Sequence, residues 1–210
     1  TDVPAGDIGV GGREVGFMAG MMKKLSNNSA CVFTGKGLSF GGSLIRPEAT
    51  GYGLVYFTEA MLKRHGLGFE GMRVAVSGSG NVAQYAIEKA MQFGARVVTA
   101  SDSSGTVVDE AGFTAEKLAR LREIKASRDG RVADYAREFG LTYLEGKQPW
   151  GVPVDIALPC ATQNELDAEA ARTLISNGVK AVAEGANMPT TIDATDLFLE
   201  AGVLFAPGKA

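Results

Sequence analysis

The feature that most restricts the fold of this chain is a glycine motif within Val74–Ala83, which joins an apolar run to an amphipathic one. The motif has the pattern GxGxxA, with Gly78, Gly80 and Ala83 at the fixed positions. Gly78 permits a tight turn, Gly80 lets the backbone approach a pyrophosphate, and Ala83 lets the following helix pack on the strand. The start of that helix presents N–H groups and a partial positive charge to the phosphates. The pattern predicts dinucleotide binding at Gly78, Ser79, Gly80, Asn81 and Val82.

Short apolar runs alternate with stretches of helical periodicity along most of the chain. The predicted strands are Arg73–Ser77, Arg96–Ala100, Val154–Leu158, Ala181–Ala183 and Val203–Ala206. The predicted helices run from the glycine turn to about Phe93 and over Ala115–Lys125, Val132–Phe139, Ala168–Ile175 and Ala194–Leu199. This alternation is typical of a doubly wound α/β fold. We therefore expect a mostly parallel sheet, with Arg73–Ser77 as a central strand and helices on both faces.

The first part of the chain, residues 1–47, is rich in glycine turns and differs in character from the rest. One helix is predicted here, over residues 13–25, because apolar residues recur at helical spacing. Pro47 and Glu48 are signals of a helix start, and the next helix is predicted to run from there to about Arg64.

The composition excludes several classes of function. A net charge of -3 gives no basic surface for nucleic acid and no attraction to an anionic membrane. The single histidine, His65, cannot build a histidine metal site or a Ser-His-Asp triad. Cys31 and Cys160 lie far apart without CxxC spacing, which predicts reduced thiols in a cytoplasmic protein. We expect no metal, no nucleic-acid partner and no membrane partner.

The type of dinucleotide depends on the charges beside the second predicted strand. Asp102 lies at its end, about 20 residues after the motif, where an acid can accept from the ribose 2′-hydroxyl of NAD. Ser79 and Ser103 carry hydroxyls that can donate to a 2′-phosphate, and Lys125 and Arg128 could supply the positive charge that the phosphate needs. On spacing alone the two cations are more simply explained as a solvated helix end. These residues by themselves leave NAD and NADP open.

Five segments spread over the whole chain resemble the glutamate dehydrogenases. They are Thr1–Gly9, Thr34–Lys36, Gly41–Gly53, Pro159–Asn164 and Glu184–Thr191. Their order and spacing are much more specific than the glycine motif alone. The chain is most similar to the NADP-linked hexameric branch of this family.

This resemblance implies an activity and an architecture. Members of the branch catalyse the reversible oxidative deamination of L-glutamate to 2-oxoglutarate and ammonia with NADP, as cytoplasmic homo-hexamers in nitrogen assimilation. By resemblance, residues 1–47 are the end of a substrate domain with the linking segment, and residues 48–210 are a cofactor domain with a modified Rossmann sheet, truncated at its C-terminus. Because the chain begins at Thr1 rather than Met and stops at Ala210 just after a predicted strand, we expect both ends to lie inside a longer protein. The chain alone is then expected to bind cofactor without turning over glutamate.

The resemblance also implies roles for single residues in the cleft between the two domains. Asp7 matches the catalytic aspartate, which exchanges protons with the amino group during imine formation and hydrolysis. Taken alone, Asp7 would be explained as a turn residue. Arg46 and Thr50 match residues that face the cofactor.

Other matches follow the length of the dinucleotide. Ser79 and Asp102 match positions near the adenosine ribose. Lys125 and Arg128 match residues that approach the 2′-phosphate, which favours NADP. The matches toward the nicotinamide end are Ala161, Thr162, Gln163 and Asn187.

Two other functions remain possible from the sequence. A leucine, phenylalanine or valine dehydrogenase would share the chemistry and differ in a substrate pocket whose deciding residues lie outside this chain. A non-catalytic dinucleotide-binding module would bind cofactor and turn over nothing. The Pro47–Gly53 stretch and Ser79 favour glutamate dehydrogenase over the first alternative.

Overall fold

The computed structural model describes residues 4–7, 9–28, 32–43, 47–127 and 129–210. The chain divides into two compact units, Thr1–Pro47 and Glu48–Ala210. Arg46 and Arg128, which are predicted to contact the cofactor, lie outside the described residues, as does Cys31.

The first unit is built around helix α1 (Gly12–Ser26). The Glu14 carboxylate accepts a hydrogen bond from the N–H of Gly11 at 2.9 Å and so caps the start of the helix. One face of α1 is buried, where Val15 packs with Phe33 in a small hydrophobic cluster. The predicted helix over residues 13–25 is confirmed.

The second unit contains six α-helices, one short 3-10 helix (Pro149–Gly151) and eight strands among its described residues. The helices are α2 (Ala49–Lys63), α3 (Asn81–Gln92), α4 (Ala115–Ala126), α5 (Val132–Phe139), α6 (Ala168–Ser176) and α7 (Ile192–Glu200). The strands are β1 (Arg73–Val76), β2 (Arg96–Val97), β3 (Thr99–Asp102), β4 (Gly105–Val108), β5 (Thr142–Glu145), β6 (Ile156–Leu158), β7 (Ala181–Ala183) and β8 (Leu204–Ala206). All the predicted helices of this unit are present, with ends that differ by one or two residues.

The larger sheet has five parallel strands in the order β2-β1-β6-β7-β8. The chain leaves β1 toward one edge of the sheet and later returns on the other side of β1 as β6. This reversal creates a topological switch point at the carboxyl ends of β1 and β6, which is where doubly wound folds bind ligands. The predicted parallel sheet is confirmed. The strand predicted at Arg73–Ser77 lies inside it, and β6 is the middle strand.

Alternate residues of β1 belong to two different hydrophobic cores. Val74 and Val76 pack in the core formed with α2, α3 and α4, whereas Ala75 packs in the core formed with α6 and α7. The two-residue period of side chains along a strand produces this division. Helices therefore cover both faces of the sheet, as predicted.

A second sheet, which is antiparallel and has the order β3-β4-β5, is absent from the sequence prediction. The prediction of a single strand over Arg96–Ala100 is wrong, because the strand is interrupted at Val98 and β3 begins at Thr99. The Thr99 hydroxyl accepts from the Val76 N–H at 2.9 Å and lies 3.0 Å from the Val76 carbonyl oxygen, to which it donates. A side chain thus takes the place of a main-chain partner, and the residues that follow pair with β4.

Helices α2 and α3 pack closely at Gly51. A Cβ atom at this position would lie 2.7 Å from atoms of Val82, Tyr85 and Ala86. Gly53, two residues later in α2, differs because nothing lies within 4 Å of the position of its missing Cβ. The helix contact therefore depends on the absence of a side chain at Gly51 and not at Gly53.

We expect Gly51→Ala to lower the free energy of unfolding by about 1–3 kcal/mol, because the added methyl group forces the two helices apart. Gly53→Ala is the matched control, and it should raise the free energy of unfolding by up to about 1 kcal/mol through helix propensity. Urea unfolding of the two variants and the wild type measures both effects. A Gly51→Ala variant as stable as the wild type would show that the helices do not pack this closely.

Candidate functional site

The glycine motif lies at the carboxyl end of β1 and leads directly into α3. Gly78 has a φ of 82°, in the left-handed region that residues with side chains disfavour. The Ser101 hydroxyl accepts from the Gly78 N–H at 2.8 Å, and the Ser101 N–H donates to the Gly78 carbonyl at 3.0 Å. Strand β3 therefore holds the turn in place from one side.

Gly80 is the N-cap residue of α3 and borders open space. Apart from its chain neighbours, no described heavy atom lies within 4 Å of the position that a Cβ would take there. At Gly78, by contrast, a Cβ would lie 3.0 Å from the Cys160 carbonyl oxygen and 3.3 Å from the Ala161 Cβ. The turn is closed toward β6 and open above the start of α3. This shape, together with the partial positive charge of a helix N-terminus, fits a pyrophosphate.

The remaining residues of the predicted phosphate loop lie in the same turn. Ser79 is only 4% exposed, and its carbonyl accepts from the Gln84 side chain at 2.8 Å. Asn81 and Val82 form the first turn of α3. The five residues predicted to contact the phosphates therefore form one turn and the start of α3, with open space beside Gly80.

Asp102 lies at the end of β3, and its carboxylate is occupied by partners from within the protein. One oxygen accepts from the N–H and the hydroxyl of Ser104. The other oxygen accepts from the Val132 N–H at 2.9 Å and lies 3.5 Å from the Lys125 ammonium. Asp102 therefore fixes the β3–β4 turn, the start of α5 and a cation at once.

The same contacts set the charge of Asp102. Burial acts to raise the pKa of this carboxyl group. Hydrogen bonds from Ser104 and Val132 and the nearby charge of Lys125 outweigh burial and hold the pKa below its ordinary range. Asp102 is therefore an ionised, internally compensated acid at neutral pH.

Two cations lie at this end of the second sheet, Lys125 beside Asp102 and Arg131 beside the neighbouring Ser103. The Lys125 ammonium also donates to the Gly130 carbonyl at 2.9 Å, and its side chain is only 19% exposed. The explanation of Lys125 as a solvated helix end is therefore wrong. Arg131, which the sequence analysis missed, has an exposed guanidinium 3.5 Å from the Ser103 hydroxyl.

The loop after β6 contains three of the predicted cofactor contacts. Thr162 and Gln163 are exposed, and Ala161 is partly buried beside the Gly78 turn. Cys160 is a free and buried cysteine, and burial raises the pKa of its thiol. Glu165 closes this loop through its carboxylate, which accepts from the backbone N–H groups of Ala161 and Thr162.

The loop after β7 contains Asn187, which is exposed. A carboxylate again holds the loop, since Glu184 accepts from the Thr190 N–H at 3.2 Å and from the Gly208 N–H at 2.8 Å. The carboxyl ends of β1, β3, β6 and β7 therefore carry most of the predicted contact residues that the structure describes.

Asp7 and Thr50 belong to different compact units. In the first unit, the Asp7 carbonyl accepts from the Val10 N–H at 2.8 Å, which forms a turn, and Asp7 is exposed. In the second unit, Thr50 is exposed in the first turn of α2.

Among the described residues, no helix is long and apolar enough to cross a membrane.

A family model described as Glutamate/Leucine/Phenylalanine/Valine dehydrogenase matches residues 41–210. The chain belongs to this dehydrogenase family. The match includes the open glycine turn and the two cations near Asp102 and Ser103.

Individual relatives extend the similarity over the whole chain. The chain is 94% identical over 210 residues to the NADP-specific glutamate dehydrogenase of Salmonella typhi and 90% identical to that of Escherichia coli (strain K12), and it covers 47% of each relative. A solved structure of Plasmodium falciparum glutamate dehydrogenase matches with a TM-score of 0.89 and 47% identity, over 100% of this chain and 45% of that one. This member of the dehydrogenase family therefore spans about half the length of the relatives it matches.

Replacement of Gly80 tests the glycine turn as the phosphate site. In Gly80→Val the fold should persist, because the side chain enters open space. Binding of NADPH should weaken at least about tenfold, since the side chain occupies the volume that the pyrophosphate needs. Fluorescence titration of NADPH measures affinity, and the urea midpoint checks folding. Unchanged affinity in a folded variant would remove the turn from the binding site.

Proposed function

We propose that this chain is the NADP-binding part of an enzyme that interconverts L-glutamate with 2-oxoglutarate and ammonia. Two features together carry the proposal. One is the open glycine turn at the start of α3, and the other is the pair of cations, Lys125 and Arg131, near the end of β3. The names of its relatives, which specify NADP and glutamate, support the choice of cofactor and substrate.

The pyrophosphate of NADP would lie over Gly78–Val82, where the start of α3 supplies N–H donors and a partial positive charge. Because Lys125 and Arg131 lie on the β3 side of the turn, the adenosine half would extend in that direction. The 2′-phosphate would then lie between these two cations, near the hydroxyl of Ser103. Ser79 would lie beside the adenosine ribose, and Arg128 would add a third cation.

Asp102 does not prevent this arrangement, although it is an acid. An acid at this position selects NAD when its oxygens are free to accept from the ribose 2′-hydroxyl. Here both oxygens already accept hydrogen bonds within the protein, and Lys125 balances the charge. In our account Asp102 positions Lys125 and the start of α5 for the phosphate, and makes no ribose contact of its own.

The nicotinamide half would extend the other way, across the carboxyl ends of β6 and β7. Ala161, Thr162 and Gln163 would line it on one side, and Asn187 would lie beside its ribose. Thr50, in the first turn of α2, would face it, and the family resemblance implies the same role for Arg46. When bound, the oxidised cofactor would accept the hydride and the reduced cofactor would supply it.

Asp7 would exchange protons with the amino group and water, because imine formation and hydrolysis require a group that both donates and accepts. In our account the substrate-binding residues lie outside this chain, which spans about half of its relatives, so glutamate turnover would be a property of the whole protein. We propose that the whole protein works as a cytoplasmic homo-hexamer in nitrogen assimilation.

Selectivity for NADP over NAD tests the proposed cation pair. Lys125→Ala and Arg131→Ala should each weaken NADPH binding about tenfold, because charge-assisted hydrogen bonds to the 2′-phosphate are lost. Binding of NADH should change little, and the loss for NADPH should shrink as salt rises. Titration of both cofactors at two ionic strengths measures these effects.

Arg137→Ala is the charge-matched control, since Arg137 lies near the end of α5 and its side chain is 77% exposed. It should leave both affinities unchanged. Equal losses of NADPH and NADH binding in the site variants would mean that these residues support the fold. A wild-type protein that prefers NADH would contradict the proposed cofactor.

A further inference from the structure

The Glu165 side chain joins two loops that border the glycine turn. One carboxylate oxygen, Oε1, accepts from the Ser77 hydroxyl at 2.9 Å, the Ala161 N–H at 3.0 Å and the Thr162 N–H at 3.3 Å. Ser77 directly precedes Gly78 at the end of β1. A single oxygen atom therefore connects the end of β1 to the loop that follows β6.

Ser77 strengthens this connection with a second hydrogen bond. Its hydroxyl donates to Glu165 and accepts from the Cys160 N–H at 2.8 Å. Ser77 is completely buried, so water does not compete for these bonds. Three successive backbone N–H groups, those of residues 160, 161 and 162, are thus held by the buried Ser77 and the partly buried Glu165.

Two further hydrogen bonds fix the main chain around Glu165. The Trp150 indole N–H donates to the Glu165 carbonyl at 3.0 Å, and the next residue, Leu166, donates its N–H to the Pro189 carbonyl at 2.9 Å. Trp150 and Leu166 are both buried in the core below this edge of the sheet. The Glu165 carboxylate therefore extends to the loop from a main chain that hydrogen bonds hold in place.

This arrangement carries an energetic cost. The second carboxylate oxygen, Oε2, is buried and has no hydrogen-bond partner among the described residues. Burial raises the pKa of Glu165, and the hydrogen bonds from Ser77, Ala161 and Thr162 only partly oppose it. A buried carboxylate oxygen without a partner destabilises a fold, and such a group calls for a specific explanation.

We propose that Glu165 is a positioning residue for the nicotinamide half of the bound dinucleotide. By holding the main chain of Ala161 and Thr162 beside the glycine turn, it sets the shape of the edge along which that half lies. The inference rests on the proposed NADP site, and it names a residue that contacts no cofactor atom itself.

The strand order explains why the effect concerns one half of the cofactor. The cations Lys125 and Arg131 lie on the β3 side of the turn, whereas the Glu165 loop lies on the β6 side. Successive backbone N–H groups can also bind anions by themselves. Glu165 occupies the pair at Ala161 and Thr162, which leaves the glycine turn as the phosphate site.

The test compares two probes, NADPH and adenosine 2′,5′-bisphosphate, which lacks the nicotinamide half. Glu165→Ala should weaken NADPH binding about tenfold and leave adenosine 2′,5′-bisphosphate binding unchanged. Glu165→Gln should bind NADPH within about threefold of the wild type, because its amide oxygen can accept the same hydrogen bonds. Glu169→Ala, an exposed acid of α6, is the control and should match the wild type for both probes.

The other possible results of these titrations would contradict the proposed role of Glu165. Equal losses of both probes in Glu165→Ala would show a general structural role, and no loss of either would show that the loop does not need Glu165. If Glu165→Ala fails to fold, the Gln variant decides: a tenfold loss of NADPH binding would mean that holding the acceptor oxygen is not what matters. A wild-type protein that binds neither probe would overturn the proposed function along with this inference.

Discussion

Hydrogen bonds from backbone N–H groups to partly buried carboxylates hold in place the loops at the carboxyl ends of the strands. Asp102 fixes the turn after β3 and the start of α5. Glu165 and Glu184 fix the loops that follow β6 and β7. Loops at the end of a parallel sheet have polar backbone groups and no strand to pair with, so side-chain acceptors must satisfy them. The acids do this without filling the space above the sheet.

The distribution of charge at this edge follows from the same interactions. Because the acids accept hydrogen bonds within their own loops, backbone N–H groups offset part of their charge there, and Lys125 compensates it further at Asp102. The open side of the edge is left with the start of α3, the exposed guanidinium of Arg131 and the hydroxyl of Ser103. Groups of this kind bind phosphates. An edge that contains several acids can therefore still receive a cofactor with many negative charges.

The sequence predicts most of the parallel sheet, because β1, β6 and β7 are short apolar runs that are each followed by a helix, and Asp167 and Thr191 cap the helices after β6 and β7. It does not predict the antiparallel sheet, since the Thr99 hydroxyl ends one strand and β4 pairs with β5 across an intervening pair of helices. The glycine turn could be found because its residues are contiguous. Glu165 could not, because its partner Ser77 is 88 residues away and no local pattern links the two. The contacts of Asp102 could not be predicted from the sequence either, because they come from Lys125 in α4 and Val132 in α5.

The most direct test of this account is a crystal structure of the protein with bound NADP. We predict that the pyrophosphate lies within hydrogen-bonding distance of the N–H groups at Gly80–Val82, and that the 2′-phosphate lies between Lys125 and Arg131. Asp102 and Glu165 should keep the backbone partners that they have without the cofactor. A pyrophosphate bound away from the glycine turn, or an Asp102 carboxylate that leaves Ser104 and Val132 to contact the ribose, would contradict the account.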